Sequence, residues 1–197
     1  MTFYDFAKAV VGGTLRTVWR LRVEGVERVP TSGSLIVAAN HVSYFDPPAL
    51  GVAMPRPIHY MAKTELFRMP ILQTILPWLN AFPVDRSRGD VAAIKRSVEV
   101  LRSGAAVGIF PEGTRNKTGL VKPQVGIALL ASLSQAPVLP AYICGTAKAG
   151  NFAQIQVIFG EPFDLSRGRK ATRDDLAKWT DEIMSRVFAL RETTGGH

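Results

Sequence analysis

A histidine and an aspartate stand five residues apart in Asn40-His41-Val42-Ser43-Tyr44-Phe45-Asp46, directly behind the apolar run Leu35-Ile36-Val37-Ala38-Ala39. An imidazole exchanges protons near neutral pH. A carboxylate on one ring nitrogen fixes its tautomer and leaves the other nitrogen free to accept a proton. Such a pair suits a general base acting on a hydroxyl. No nucleophile elbow lies nearby, and Ser43, between the two residues, is not read as a nucleophile. The competing reading is structural. Asp46 precedes Pro47 and Pro48, so it suits the N-cap of a helix whose first position is proline, with His41 an ordinary loop residue. A carboxylate has two oxygens, so both roles fit one residue.

Three further segments place charge or glycine just past an apolar run. They are Lys63-Thr64-Glu65-Leu66 behind Ile58 to Ala62, Phe82-Pro83-Val84-Asp85-Arg86, and Phe110-Pro111-Glu112-Gly113-Thr114-Arg115 behind Ala105 to Ile109. A guanidinium grips a phosphate with two parallel hydrogen bonds, so Arg86 and Arg115 suit a phosphomonoester, with Lys63 a further cation. Glu112 suits a glycerol hydroxyl or an arginine, and the Gly113 N–H suits an oxyanion hole. The alternative for each segment alone is a solvated surface turn, such as an Asp85–Arg86 ion pair.

The elements that must position these residues alternate. Strands are expected at 21–25, 34–39, 58–62, 81–84, 106–110, 137–143 and 154–159, and helices at 47–53, 70–79, 90–102, 124–134 and 173–190. Asp90 suits the start of one helix and Ser103-Gly104 its end, while Thr172 to Asp175 reads as a capping box. The alternation predicts an α/β domain with a largely parallel mixed sheet flanked by helices. Pro140, in Val138-Leu139-Pro140-Ala141, is expected at an edge or a strand end because proline lacks a ladder donor. Residues 2–20 read as an amphipathic helix with aromatic anchors (Phe3, Phe6, Trp19) and bases (Lys8, Arg16, Arg20), suited to a lipid interface or to packing on the domain. The apolar stretch from Met69 to Leu79 reads as a core helix or a face that dips into lipid. The expected organisation is an N-terminal membrane-associating helix at 1–20, one domain at 21–192, and a flexible tail at 193–197 that leaves His197 without a role.

Composition narrows the partners. The 197 residues carry a formal charge of +8, which favours an anionic surface or a phosphate-bearing ligand. The bases are scattered without aromatic interleaving, so no nucleic acid is expected. Cys144 alone allows no internal disulfide, and His41, His59 and His197 show no metal-site spacing, so no metal is expected. No apolar run approaches the ~20 residues of a spanning helix, and no secretory signal is read at the N-terminus.

In this order the segments resemble the glycerolipid acyltransferase family, specifically its bacterial 1-acyl-sn-glycerol-3-phosphate (lysophosphatidic acid) acyltransferases. The family's Asn-His-x4-Asp, Phe-Pro-x-Asp-Arg, Phe-Pro-Glu-Gly-Thr-Arg and Val-x-Pro blocks stand here at 40–46, 82–86, 110–115 and 138–141, and its Lys-x-Glu-Leu segment at 63–66. The resemblance spans about residues 20–160. It departs at Gln73, where many relatives have glycine, and in the stretched Lys122-Pro123-Gln124-Val125-Gly126.

The resemblance implies His41 as base on the acceptor hydroxyl and Asp46 as its orienting partner. It implies Arg86 with Lys63 as phosphate binders, and Glu112, Gly113, Thr114 and Arg115 in the acceptor site. Expected substrates are lysophosphatidic acid and an acyl thioester, acyl-CoA or acyl carrier protein, with no cofactor and no acyl-enzyme. The fatty chain is expected in an apolar groove between residues 70 and 82, and the enzyme on the cytoplasmic face of the membrane, peripheral and held by its anionic surface. Other acceptors, such as glycerol 3-phosphate or a different lyso-lipid, and a non-catalytic lysolipid binder are the alternatives.

Overall fold

The structure, a computed structural model, describes residues 2–85, 91–165 and 171–193. Among them the strands β1 (Arg22–Glu24), β2 (Leu35–Ala39), β3 (Ile58–Lys63), β4 (Ala81–Val84), β5 (Ala106–Ile109), β6 (Val138–Cys144) and β7 (Gln156–Phe159) form one sheet. Their spatial order is β1-β7-β6-β2-β5-β3-β4. Neighbours are parallel except β6 with β7, so the sheet is largely parallel and mixed, as expected.

The central strand β2 is fully buried along its length, because helices cover both faces of the sheet. This is why its sequence reads as a continuous apolar run rather than an alternation. Leu35, Val37 and Ala39 face one core, shared with α1 (Phe3–Val18) and α2 (Asp46–Ala53). Ile36 and Ala38 face the other, shared with α4 (Val91–Arg102), α5 (Gly126–Ser134) and α6 (Arg173–Ala189). The chain thus leaves β2 towards one face and its neighbour β5 towards the other. Where two adjacent parallel strands send their connections to opposite faces, a crevice opens at their carboxyl ends. His41 follows β2 and Glu112 follows β5, one on each side of that crevice.

Pro140 departs from expectation. It lies in β6, an interior strand, paired in register with Ala38 of β2. Ile36 N–H bonds Pro137 on the β2 side, whereas Val138 and Pro140 turn their peptide groups to the segment after β7. There Gly160 N–H donates to the Pro140 carbonyl, and a Cβ on Gly160 would lie 2.8 Å from Pro140 Cγ. The missing donor therefore faces the end of a strand, and a glycine makes room for the ring.

The N-terminal helix packs and presents an apolar surface at once. Thr2 and Asp5 form a capping box at its start. Leu15 is buried, Gly12 lies against Val52, and Lys8 Nζ donates to the Met54 carbonyl. On the outer side Phe3, Phe6, Val10, Val11 and Val18 are exposed. Trp19 ends the helix and donates its indole N–H to the Ala149 carbonyl. The helix expected at 70–79 is confined to α3 (Leu72–Trp78); the exposed Met69 and Ile71 precede it and the exposed Trp78 is its last residue. Phe3 meets Trp78 edge-on at 4.6 Å, which joins the two apolar surfaces. No helix among the described residues is long and apolar enough to cross a membrane. The Thr172–Asp175 capping box forms as read, while Asp90 and the tail residues 194–197, His197 included, lie outside the described residues.

Candidate active site

The site is built by how β2 ends. Asn40 bonds Ile143 with its side chain, Nδ2 to the carbonyl at 2.9 Å and Oδ1 from the N–H at 2.7 Å. The side-chain amide continues the ladder to β6 in place of a peptide group, so the main chain is free to turn away at His41. The turn is then drawn together by one atom. Asp46 Oδ2 accepts from His41 Nδ1 at 2.9 Å, from Val42 N–H at 2.6 Å and from Ser43 N–H at 2.7 Å. Asp46 is fully buried, and its other oxygen, Oδ1, meets no donor among the described residues.

The capping reading of Asp46 is corrected by this geometry. Asp46 is the first residue of α2, but its carboxylate turns backwards to the loop and makes no capping bond to the helix. Because two backbone N–H groups already point at Oδ2, that oxygen is acceptor-only and Nδ1 must bear the hydrogen. In the neutral imidazole Nε2 is then the nitrogen with the lone pair, the arrangement a general base requires. Ser43 Oγ accepts from Phe45 N–H, a local turn contact.

An aromatic column fixes the plane of the imidazole. Phe110 lies 4.4 Å from His41 centroid to centroid, and Tyr60 stacks behind Phe110 at 6.4 Å with planes 9° apart. Tyr60 donates its hydroxyl to the Pro47 carbonyl at the start of α2. A Cβ on Gly108 would lie 2.7 Å from the Tyr60 ring, so glycine opens the slot that the ring fills. Beyond Phe110 a cavity of about 560 Å³ extends under β3, β4 and β5, bounded by Met61, Ile94, Ile109, Ile127 and Leu129. An apolar cavity is therefore present beside the site between the sheet and α4 and α5, and within the stretch 70–82 Pro77, Trp78 and Asn80 line a second pocket against the first residues of α1.

The 110–116 loop departs from its reading in two respects. Gly113 adopts a positive φ of 66°, and its N–H donates to the Phe110 carbonyl at 2.9 Å, so it is not held open for an oxyanion. Glu112 is turned inward at 3% exposure, with Oε2 accepting from His41 N–H at 2.6 Å and Oε1 from Asn116 Nδ2 at 3.3 Å. Burial pushes the Glu112 carboxyl up to about 7, and the Asp46 carboxylate adds to the rise against the lowering effect of those two donors.

Arg115 stacks its guanidinium on the Tyr44 ring at 3.7 Å, at the exposed rim beside His41. Thr114 is exposed beside it, and Lys63 is exposed at the end of β3. Arg86 lies outside the described residues. The carboxyl ends of β2, β5, β3 and β4 thus share one edge of the sheet, and that edge gathers His41, Asp46, the 110–116 loop and Lys63. Tyr44, Phe110 and Asn116 also belong to the site. Each lies within or next to a block whose charged members drew the reading, so only their neighbours signalled them.

Residues 20–144 match the Acyltransferase family. The 1-acyl-sn-glycerol-3-phosphate acyltransferase of Bacillus subtilis is 31% identical over 175 residues, which cover 86% of this chain and 87% of that relative. Its counterpart in Streptococcus pneumoniae is 25% identical over 202 residues, covering 98% of this chain and 74% of that relative. The crystal structure of the 1-acyl-sn-glycerophosphate (LPA) acyltransferase of Thermotoga maritima aligns with a TM-score of 0.74 at 25% identity, covering 98% of this chain and 82% of that one. The family match runs from before β1 to the end of β6 and contains the His41–Asp46 pair, the 110–116 loop and Lys63. On that match, and with the sheet and its site loops in this arrangement, the chain belongs to the Acyltransferase family.

Proposed function

We propose that this enzyme transfers a fatty acyl group from a thioester, acyl-CoA or acyl carrier protein, to the free hydroxyl of 1-acyl-sn-glycerol 3-phosphate, giving phosphatidic acid. The observation that carries the reading is the buried His41–Asp46 pair, with Nδ1 held at 2.9 Å and Nε2 left to accept a proton. Nε2 takes the hydroxyl proton as the oxygen attacks the thioester carbonyl, and Asp46 stabilises the imidazolium that forms. The C–S bond then breaks as the tetrahedral centre collapses, and the leaving thiolate takes the proton back from the imidazolium, which restores the neutral base. A thiolate is a good leaving group, so no covalent acyl-enzyme is needed.

The acyl chain extends past Phe110 into the apolar cavity, whose volume of about 560 Å³ lies within the usual ~300–1,000 Å³ of ligand pockets. The acceptor phosphate is held at the charged rim by Arg86, Lys63 and Arg115. Tyr44 holds Arg115 there by a cation–π contact, and such contacts contribute about 0.5–1 kcal/mol at exposed sites. Tyr44→Ala is therefore expected to raise the acceptor KM about 2- to 5-fold with little change in kcat. A change in kcat alone would remove Arg115 from acceptor binding.

The names of the two bacterial relatives favour lysophosphatidic acid over other acceptors. The test is purified protein with a labelled thioester and a panel of lysophosphatidic acid, glycerol 3-phosphate and lysophosphatidylcholine. Label entering phosphatidic acid supports the reading, and label entering only another lipid replaces it.

The enzyme works as a peripheral protein on the cytoplasmic face of the membrane, resting on the exposed side of α1 and the Met69–Trp78 surface. The stripe of Phe3, Phe6 and Val10, together with the +8 charge, supports this placement. Phe6→Ser with Val10→Ser is expected to weaken co-sedimentation with anionic vesicles while the melting temperature holds, since both side chains are exposed. Unchanged co-sedimentation would assign α1 a packing role alone.

A further inference from the structure

Both main-chain polar groups of His41 are held from one loop. The N–H donates to Glu112 Oε2 at 2.6 Å, and the carbonyl accepts from Asn116 N–H at 2.6 Å. The Asn116 side chain ties the two ends of this grip together. Its Nδ2 donates to Glu112 Oε1 at 3.3 Å and to the Val121 carbonyl at 3.4 Å, and its Oδ1 accepts from Val121 N–H at 3.2 Å. Glu112 and Asn116 are 3% and 7% exposed, so these contacts are made away from water.

We propose that Glu112 and Asn116 are positioning residues that clamp the main chain of His41, so that the base is aimed by its own backbone as well as by Asp46. The inference rests on the acyl-transfer reading, because it concerns the base of that reaction. Asp46 fixes the ring at Nδ1 and holds the Val42 N–H, but it makes no bond to the N–H or the carbonyl of His41 itself. The clamp holds both of these groups, one in each peptide that flanks the His41 Cα. Misplacing a reacting group by about 1 Å can cost ~10²-fold in rate, so a loose peptide at position 41 would be felt in kcat.

The network has a direction that a substitution can reverse. Both Glu112 oxygens face N–H donors, His41 N–H and Asn116 Nδ2. Glu112→Gln alone brings an amide NH2 against the Asn116 amide, and Asn116→Asp alone brings two carboxylates together. In the double variant the new amide oxygen accepts from His41 N–H and its NH2 donates to the new carboxylate. That carboxylate's second oxygen still accepts from Val121 N–H, and only the 3.4 Å bond to the Val121 carbonyl is lost.

The experiment measures kcat and the acceptor KM for wild type, both single variants and the double variant, with lysophosphatidic acid as acceptor. Each single variant is expected to lose about 10- to 100-fold in kcat with the acceptor KM within about 2-fold, and the double variant to regain most of the loss. A double variant no better than the weaker single, or a Glu112→Gln loss lying mainly in the acceptor KM, would overturn the clamp and return Glu112 to direct acceptor contact. Asn116→Ser keeps the charge of Glu112 and covers the case in which the other variants fail to fold. It is expected to lose kcat at constant KM, and wild-type kcat would overturn the proposal. An inactive wild type would refute the acyl-transfer reading instead. The clamp would then be read from exchange of the His41 amide hydrogen, expected to be faster in Asn116→Ser and contradicted by an equal rate.

Discussion

His41→Ala is expected to lower kcat on the order of 10²–10⁴-fold, the usual contribution of a general base, while the fold and the acceptor KM are retained. The backbone bonds at position 41 do not depend on the side chain, since Glu112 and Asn116 hold its N–H and carbonyl. The ring itself packs on Phe110, so its removal leaves a gap at the rim of the site rather than in either core. Circular dichroism melting beside steady-state rates separates the two effects. Near-normal turnover in a folded variant would refute the assignment of the base, and lost turnover with a collapsed melting transition would make His41 a packing residue.

Asp46→Asn is the sharper variant because the geometry predicts that it changes charge and little else. Val42 N–H, Ser43 N–H and the ring Nδ1–H all point at Oδ2, so the amide of asparagine must place its oxygen there. Its NH2 then takes the position of Oδ1, which meets no partner among the described residues. The tautomer of His41 is preserved, and what disappears is the negative charge beside the imidazolium. Two unit charges about 4 Å apart at an effective dielectric near 20 interact by about 4 kcal/mol. The asparagine dipole keeps part of that, so a loss of roughly 10²-fold in kcat is expected. A lowered melting temperature with unchanged turnover would instead confine Asp46 to holding the 41–46 loop.

The inner strands of the sheet were legible because they are largely buried on both faces and read as short apolar runs between turn residues. Leu35–Ala39, Ala106–Ile109 and Val138–Cys144 are such runs, and their bounds lie within a residue or so of expectation. Pro140 was misplaced because a single chain does not show which side of a strand its neighbour covers, nor where that neighbour ends. His41 and Asp46 were legible because they lie close in sequence, and a five-residue spacing needs only one turn to bring them together.

Glu112 was harder to place. A glutamate in a glycine-containing loop reads as facing solvent or substrate, and its burial depends on a partner 71 residues away, His41 N–H. Asn116 escaped notice for the same reason, since its three partners are main-chain groups and one carboxylate, none of which sequence spacing reveals. A groove for the acyl chain was expected between residues 70 and 82. In the structure Ile71 and Trp78 are exposed and Pro77, Trp78 and Asn80 line a pocket with the start of α1, while the cavity beside Phe110 is lined from five elements, β3, β4, β5, α4 and α5, that no single stretch of sequence displays.

The most direct test of direct transfer at the His41–Asp46 pair is a single-turnover experiment. Purified protein in excess over a labelled acyl thioester is mixed with lysophosphatidic acid, and free thiol and labelled phosphatidic acid are followed together. The mechanism predicts one thiol per phosphatidic acid formed, at equal rates, and no thiol release when the acceptor is omitted. A thiol burst without acceptor, with label left on the protein, would show an acyl-enzyme and contradict direct attack by the hydroxyl.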